Sequence, residues 1–329
     1  MQRSRFLVKL SSFVFGAVCL LPGFGVAHAD TWPSKQIKFI VGYPPGGGAD
    51  VTGRLFAEHM SRGLGQRIIV ENRSGAGGTI GASSVVRSDP DGYTFLVAAI
   101  SEISIAPATV KDLAYNPGAD LLPVVVFGKW AQLLVAAPSF PPNTLAELIA
   151  YTKANPGKVS YASFGNNTLN HVNGERFKLA AGIDTLHVPY RGSGQSLIDV
   201  MAGVVQYTFD SPATTLGHIK SGKLKAIAVA GTERLPNANT IPTMAEAGLP
   251  NFVIQSWIGL MAPPNTPKSI IDRMNREANA AMQSPELRQV LEGNNTQPGG
   301  GTPEVFGEQI RGEIAEYKRV AAQVGISPQ

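Results

Sequence analysis

The amino-acid sequence predicts an α/β fold of two lobes, each built on a mostly parallel sheet flanked by helices. Short, branched apolar runs typical of buried strands alternate with segments of helical period along most of the chain. The alternation begins at residue 37, starts again as a second series near residue 144, and is followed by an apolar return run over 252–262. Such alternation is typical of parallel sheets. Two series and a return predict two crossings between lobes, near residues 129–133 and 251–256.

The first 29 residues have the pattern of a secretory signal. Arg3, Arg5 and Lys9 give a basic start, residues 10–21 are largely apolar, and small residues lead up to Ala29. A retained membrane anchor is the alternative, but the apolar run is short and the helix-breaking residues Pro22, Gly23 and Gly25 follow it. We therefore expect cleavage after Ala29 and export to the periplasm.

Composition after this leader narrows the classes of function. The 28 basic and 24 acidic residues give a net charge of +4, which falls to +1 once the three basic leader residues are removed. This balance, without a basic cluster, argues against a nucleic-acid or membrane-surface partner. The single cysteine, Cys19, lies in the leader, so no disulfide is expected. The full sequence is 43% hydrophobic, and the about 300 residues after the leader are enough to form a substantial core.

The first strand, loop and helix form the segment on which the predicted site depends. Residues 37–41 form a branched apolar run, the turn Tyr43-Pro-Pro-Gly-Gly-Gly-Ala-Asp50 follows, and apolar residues then recur at helical spacing. Three consecutive glycines leave backbone N–H groups accessible, and the helix start adds the positive end of its dipole. The loop is suited to an anion, although a tight turn without a ligand fits the same residues.

Two more loops follow strands in this first series. A strand at 67–71 leads to the glycine-rich stretch 72–79, and a strand at 94–99 leads to Ser101. The glycine stretch fails the dinucleotide fingerprint because Ile80 stands where its third glycine belongs, and no phosphate-binding loop motif occurs. Ligands of open α/β sheets bind beyond the carboxyl ends of the strands, so we expect these loops to meet at one site.

The second series repeats this logic without a residue-level repeat. Two strands near 124–127 and 132–137 and a capping box at Thr144 precede it. Its own strands are predicted near 159–163, 186–188, 206–210 and 224–230, with helices between them. After the return run, a C-terminal helix is predicted over 302–324, with proline at its first position. We expect the tail to pack on the first lobe. Lobe 1 is thus 30–130 plus 254–329, and lobe 2 is 131–253.

Four motifs, in this order, resemble a known family. They are Tyr43-Pro-Pro-Gly-Gly-Gly-Ala-Asp50, Val70-Glu-Asn-Arg-Ser-Gly-Ala-Gly-Gly78, Asp91-Gly-Tyr-Thr94 and His187-Val-Pro-Tyr-Arg-Gly192. The resemblance spans nearly the whole chain after the leader. Together the motifs are similar to the solute-binding receptors of tripartite tricarboxylate transporters, the Bug-type periplasmic proteins.

The resemblance implies a monomeric flytrap receptor of the periplasmic-binding-protein fold, with no cofactor. Such a receptor holds a small carboxylate between its lobes and passes it to the membrane permease subunits. The ligand would be a di- or tricarboxylate, an aromatic carboxylate or an acidic amino acid, bound largely by backbone amides. Loop residues and the second lobe together supply the expected ligand-binding set: Tyr43, Pro45, Gly46, Gly47, Ala76, Gly77, Ser101, Ser163, Asn166, Asn167, Tyr190, Arg191 and Asp210.

Several of these residues have an equally plain structural interpretation. Asn166 and Asn167 depart from the small residues usual in the family, and they either read the distal end of the ligand or serve as turn residues. Arg191 either contacts a second carboxylate or lies at a solvated rim. Asp210 either selects a ligand hydroxyl or amine, or ties its own loop, and we favour the loop.

Three other residues are assigned structural roles. We expect Asp50 to be the N-cap of the first helix. Trp130 and Trp257 lie near the predicted crossings, and we expect hinge packing there instead of ligand stacking.

The alternative functions are a periplasmic hydrolase and a co-receptor that presents its ligand to a membrane sensor. The runs Tyr161-Ala-Ser-Phe-Gly165 and Arg191-Gly-Ser-Gly194 both miss the nucleophile elbow G-x-S-x-G. The histidines are scattered without H-E-x-x-H, so no metal site is expected. A sensor partner would use the same cleft, and the sequence does not separate it from a permease.

Overall fold

The computed structural model describes residues 32–328. The predicted leader and its cleavage site at Ala29 lie outside these residues. The strands are β1 Ile37–Val41, β2 Ile68–Asn72, β3 Thr94–Ala99, β4 Leu122–Ala136, β5 Ser160–Ser163, β6 Leu186–Pro189, β7 Tyr207–Asp210, β8 Lys225–Ala230, β9 Gln255–Ala262 and β10 Gln297–Gly300. The α-helices are α1 Gly48–Leu64, α2 Thr79–Val86, α3 Ala106–Thr109, α4 Pro117–Asp120, α5 Leu145–Ala154, α6 Leu169–Ala181, α7 Ser193–Met201, α8 Pro212–Lys220, α9 Lys268–Ala281, α10 Pro285–Gly293 and α11 Pro303–Gln323.

The predicted α/β architecture is confirmed, and its sheet is mixed. In the first half, β2, β1 and β3 are parallel neighbours, whereas β9 runs antiparallel to both β3 and β4. In the second half, β6, β5 and β7 are parallel, and β4 lies antiparallel between β7 and β8. Parallel strands connected through helices thus make up the bulk of each half, and the strands that connect the halves run against their neighbours.

The long strand β4 belongs to both halves of the sheet. Residues 122–131 pair with β9, and residues 132–136 pair with β7 and β8. The sequence predicted two separate strands here, at 124–127 and 132–137, and that expectation was wrong. Gly128 and Lys129 interrupt the apolar pattern, but they remain in the ladder because β9 and β10 flank them.

Aromatic side chains make up much of the core on each side. Phe56 of α1 stacks on Phe127 of β4 with ring centroids 3.9 Å apart, and this contact anchors the first helix on the sheet. In the second half, Phe177 of α6 packs edge-on against Tyr207 and Phe209 of β7. These rings are fully or almost fully buried, and offset or edge-on aromatic pairs are favourable contacts in protein cores.

The C-terminal tail packs on the first half of the sheet, as expected. Asn275 of α9 donates to the Val124 carbonyl of β4, and Arg273 donates to the Gly63 carbonyl of α1. Strand β10 then pairs antiparallel with β4. This strand was not predicted from the sequence, since its residues Gln-Pro-Gly-Gly are typical of turns.

Strand direction places the loops that matter. Strands β1 to β3 run in the same direction as β4, toward residue 131, because β9 is antiparallel to both β3 and β4 and the two reversals cancel. Strands β5 to β7 run opposite to β4, toward residue 132. The carboxyl ends of both sets therefore face one another at the point where β4 passes from one half to the other.

Candidate functional site

A cavity of about 270 Å³ lies where the carboxyl ends of the two strand sets meet. Loops after β1, β3, β5, β6 and β7 form its walls, and β4 and β9 contribute residues where they cross. Its main apolar surfaces come from Pro44, Trp130, Phe164, Leu169 and Ile258. Six residues of the expected set line it: Tyr43, Pro45, Gly47, Ser101, Arg191 and Asp210.

Two helices start at this cavity with their amides unpaired. Gly47 is the N-cap of α1 and Gly192 precedes α7, and neither helix has a side-chain cap. Among residues 32–328, the backbone N–H groups of 47–49 and of 193–195 donate to no protein acceptor. The first turn of a helix concentrates unpaired donors and the positive end of the helix dipole. The cavity is therefore suited to negative charge from two sides.

One amide of the first glycine loop is occupied by the protein itself. The Gly46 N–H donates to Oδ2 of Asp50 at 2.9 Å, and Arg54 and Asn72 donate to the same carboxylate. Asp50 is the third residue of α1, so the expectation that it caps the helix was wrong. It closes the loop from inside the helix, and Gly46 does not line the cavity.

Two polar groups on β4 have no protein partner although they are buried at the cavity wall. Nε1 of Trp130 and Oε1 of Gln132 make no hydrogen bond within the described residues. The two side chains are only 8% and 3% exposed, respectively. We expected hinge packing for Trp130. Its ring does lie at the crossing, but it also forms part of the cavity.

Asp210 is buried at the end of β7 and already holds three donors. It accepts hydrogen bonds from Ser193 Oγ at 2.6 Å, from the Ser211 amide at 2.6 Å and from Thr214 Oγ1 at 2.9 Å. Burial raises the pKa of Asp210 to about 6, even though these hydrogen bonds lower it. The carboxylate ties the starts of α7 and α8 together, in keeping with the loop role that the sequence favoured.

Arg191 is the only lysine or arginine among the residues that line the cavity. It is exposed and forms no salt bridge within residues 32–328. A guanidinium at this rim can contact a ligand carboxylate without the cost of burying a cation.

A buried carboxyl lies directly beneath the second glycine loop. Glu102 is fully buried; its Oε1 accepts from the Ala99 amide at 2.6 Å, and its Oε2 accepts from the Tyr43 hydroxyl at 2.8 Å. Burial raises the pKa of Glu102 to about 7, against the lowering effect of these hydrogen bonds. Glu102 was not among the predicted site residues, because a lone glutamate after a strand carries no motif.

A second cavity, of about 550 Å³, adjoins the first. It brings together Ala76, Gly77, Asn166, Asn167 and Tyr190, while Tyr43 and Arg191 line both cavities. The hydroxyl of Tyr190 donates to Asp199 at 2.7 Å, so it is not available to a ligand in this arrangement. Asn167 adopts a left-handed backbone with φ of 63°, which agrees with the turn role considered for it.

Ser163 is fully buried and lines neither cavity, so this geometry does not favour direct contact with a ligand. Its Oγ lies 2.6 Å from Nε2 of His187, whose ring stacks on His171. Burial, with His171 alongside, lowers the pKa of His187 to about 4. A buried hydroxyl has no access to substrate, and this serine and histidine therefore form a structural pair.

The two halves of the sheet contact each other around the cavity. The Leu169 amide at the start of α6 donates to Ser101 Oγ at 3.1 Å. Pro44 lies so close to Gly192 that a Cβ there would be 3.2 Å from its Cδ. The walls are therefore held together by short contacts on either side of the space that a ligand would fill.

Within residues 32–328, no cluster of histidine, cysteine, aspartate or glutamate has the arrangement needed to hold a metal ion. No helix in that part of the chain has the length and apolar character to cross a bilayer.

Comparison with known proteins gives consistent matches. The sequence pattern of the family described as "Tripartite tricarboxylate transporter family receptor" matches residues 52–326. The protein BugT of Bordetella pertussis is 34% identical over 326 residues, which cover 99% of each chain. A protein of R. palustris solved with adipate is 32% identical, with a TM-score of 0.88 over 91% of this chain and 100% of that one. MatC of Rhodopseudomonas palustris, solved with bound malate, is 30% identical, with a TM-score of 0.84 over 88% of this chain and 99% of that one.

Proposed function

Because the chain belongs to the tripartite tricarboxylate transporter receptor family, we propose that it captures a small carboxylate and delivers it unchanged to the membrane permease of such a transporter. The ligand would bind in the 270 Å³ cavity at the crossing of β4. Export with cleavage after Ala29 is part of the proposal, since proteins of this family are periplasmic receptors.

The observation that carries the proposal is the pair of helix starts. The unpaired amides of 47–49 and 193–195 approach one space from opposite halves of the sheet. Charge-assisted hydrogen bonds from such amides to a carboxylate are roughly twice as strong as neutral ones. They also require no buried cation, which fits a wall where Arg191 alone is basic.

The solved relatives support a ligand with two carboxylates. Adipate and malate, named for the two R. palustris proteins, are both dicarboxylates. In this chain, one carboxylate would occupy the helix starts and Arg191 would contact the other. The second cavity, lined by Ala76 and Asn166, would form the outer approach to the same ligand.

A thermal-shift screen tests the binding function. Di- and tricarboxylates, aromatic carboxylates and acidic amino acids form the test set, and neutral sugars and basic amino acids form the comparison set. At a thousandfold excess over its dissociation constant, a ligand raises the free energy of unfolding by about 4 kcal/mol. A shift with sugars or cations and none with any carboxylate contradicts the proposal.

A substitution inside the cavity makes the test specific to this site. A Cβ on Gly48 would lie 3.8 Å from Ser211 Oγ, which is ordinary contact, so Gly48→Asp fits and places a carboxylate among the unpaired amides. We expect it to abolish the thermal shift by repulsion and by occupying the donors. Gly312→Asp on α11, where no atom lies within 4 Å of the added Cβ, is the matched control and should keep the shift.

Delivery to a permease requires a separate measurement. Uptake of labelled ligand into proteoliposomes that contain the transporter's membrane subunits should depend on this chain and should be lost with Gly48→Asp. Binding without any stimulation of uptake leaves the receptor function standing and removes the permease as partner.

A further inference from the structure

Two side chains of β4 have unpaired polar atoms that indicate which hydrogen-bonding groups the ligand carries. Trp130 and Gln132 are two residues apart on one strand, so both project from the same face, and both line the cavity. Each carries a polar atom that is buried and has no partner in the described part of the chain. A buried polar group without a hydrogen bond is rare and costly, so each such group calls for an explanation.

Gln132 presents a buried acceptor to the cavity. Its Oε1 makes no hydrogen bond to another protein group within residues 32–328. An amide oxygen accepts and does not donate, so a group that pairs with it must be a donor. We expect the ligand that fills the cavity to supply that donor.

An ionised carboxylate cannot meet that requirement. Its oxygens are acceptors only, so they can pair with the Trp130 N–H and with the helix amides but not with an amide oxygen. A ligand that itself pairs with this oxygen carries an O–H or N–H group in addition to its carboxylate.

The surroundings favour a hydroxyl over an ammonium group. The N-termini of α1 and α7 create a positive potential in the cavity. This potential disfavours a ligand ammonium group. The one acidic residue of the wall, Asp210, already accepts hydrogen bonds from Ser193, Ser211 and Thr214, which leaves about one of its acceptor positions for an ammonium group.

We propose that this receptor selects a hydroxycarboxylate, with the ligand hydroxyl donating to Gln132 and the Trp130 indole donating to a ligand oxygen. The proposal rests on the carboxylate-receptor function and adds to it the chemical class that distinguishes one acid from another. Sites that bind a hydroxyl through a buried polar group discriminate strongly against the analogue that lacks it, because the group is then left unpaired.

Calorimetric titration of matched acids tests the selection. The probes are propionate with lactate, succinate with malate and aspartate, glutarate with 2-hydroxyglutarate, and tricarballylate with citrate. For the acids of the length that binds, we expect the hydroxylated acid to bind at least roughly tenfold more tightly than its unsubstituted partner. Equal or tighter binding of the unsubstituted acid overturns the proposal, and so does tighter binding of aspartate than of malate.

Gln132→Met assigns the effect to this side chain. It keeps the length of the side chain and removes both polar atoms, so the hydroxylated and unsubstituted acids should bind with about equal affinity. A preserved preference contradicts the proposal. Gln323→Met, at an exposed position of α11, is the matched control and should leave both affinities unchanged.

Two outcomes distinguish a failure of the hydroxyl selection from a failure of the proposed receptor function. Binding of no acid at any length rejects the receptor function itself, whereas binding without a hydroxyl preference rejects only the selection. If Gln132→Met does not fold, Gln132→Asn keeps an amide but retracts it by one methylene. It must lower the preference at least threefold, and an unchanged preference overturns the proposal.

Discussion

The hydroxyl of Tyr43 lies 2.8 Å from Oε2 of Glu102 and 3.0 Å from the carbonyl oxygen of Gly77. It carries one proton and can donate to only one of these acceptors at a time. When Glu102 is ionised, the hydroxyl donates to the carboxylate; when Glu102 is protonated, the carboxyl proton can be donated to Tyr43, which then donates to Gly77. The buried carboxyl is thereby connected to the second glycine loop through one tyrosine.

Glu102 is expected to make the protein less stable as pH rises. Its unfolded pKa is near 4.5 and its folded pKa is about 7, so its contribution is complete below pH 4.5 and is lost as pH rises through 7. A shift of this size corresponds to about 3 kcal/mol. Urea unfolding between pH 4.5 and 8 measures this effect. The free energy of unfolding should fall with pH more steeply for the native chain than for Glu102→Gln, by about 3 kcal/mol over the range.

The comparison between variants isolates this group from others that titrate in the same range. Asp210 has a raised pKa and acts in the same direction, whereas His187 has a lowered pKa and acts in the opposite direction. Both are present in each protein and cancel in the difference. Glu233→Gln, at an exposed position, should leave the slope unchanged. A Glu102→Gln slope equal to that of the native chain would show that Glu102 ionises normally.

The two glycine loops touch through their backbones at Gly42. A Cβ on this residue would lie 2.7 Å from the Gly78 carbonyl oxygen and 2.8 Å from its Cα. We expect Gly42→Ala to lower the free energy of unfolding by about 2 kcal/mol and to weaken carboxylate binding, because backbone atoms cannot move aside. Gly217→Ala, inside α8 with open space around it, should instead stabilise by about 0.5 to 1 kcal/mol. Chemical denaturation compares the two.

Arg191 should matter for the second carboxylate of a ligand and not for the first. We expect Arg191→Gln to weaken dicarboxylate binding roughly fivefold, the scale of an exposed charge pair, and to leave monocarboxylate binding unchanged. The dicarboxylate affinity should also lose part of its salt dependence. Arg319→Gln on α11 is the control for charge alone. A uniform loss for mono- and dicarboxylates would instead place Arg191 at the helix-bound carboxylate.

Ser101 is expected to help hold the cavity closed. Its hydroxyl accepts from the Leu169 amide at 3.1 Å, across the two halves of the sheet. Ser101→Ala leaves that buried amide unpaired at a cost of about 1 kcal/mol, so ligand affinity should fall roughly fivefold. Small-angle scattering should show a smaller radius with ligand than without, and the variant should need more ligand to reach it. Ser84→Ala, whose hydroxyl bonds within α2, is the control. An unchanged radius in every sample argues against closure.

The sequence was most informative where local pattern and packing agree. Residues 37–41 and 94–99 were predicted as strands and are strands, because branched apolar side chains are buried there on both faces. The C-terminal helix was predicted over 302–324 and spans Pro303–Gln323, since Thr302 caps it and proline opens it. At these places the local signal and the tertiary structure favour the same conformation.

The sequence was least informative where residues distant in the chain determine the local structure. Gly128 continues a strand only because β9 and β10 flank it, and Glu102 is an unusual carboxyl only because the fold buries it. The role of Gln132 likewise depends on what is missing around its amide, which no sequence pattern records. The candidate site was therefore located by its loops, whereas its selective side chains required the three-dimensional arrangement.

The unbroken course of β4 also limits how such a protein can open. A 15-residue strand hydrogen-bonded on both edges cannot swing about a single flexible bond. If the lobes separate, the backbone dihedral angles of several residues near 131 would each have to change slightly, so that the twist of β4 changes along its length. We therefore expect any opening to appear as a gradual change of twist along β4 and not as a break at one residue.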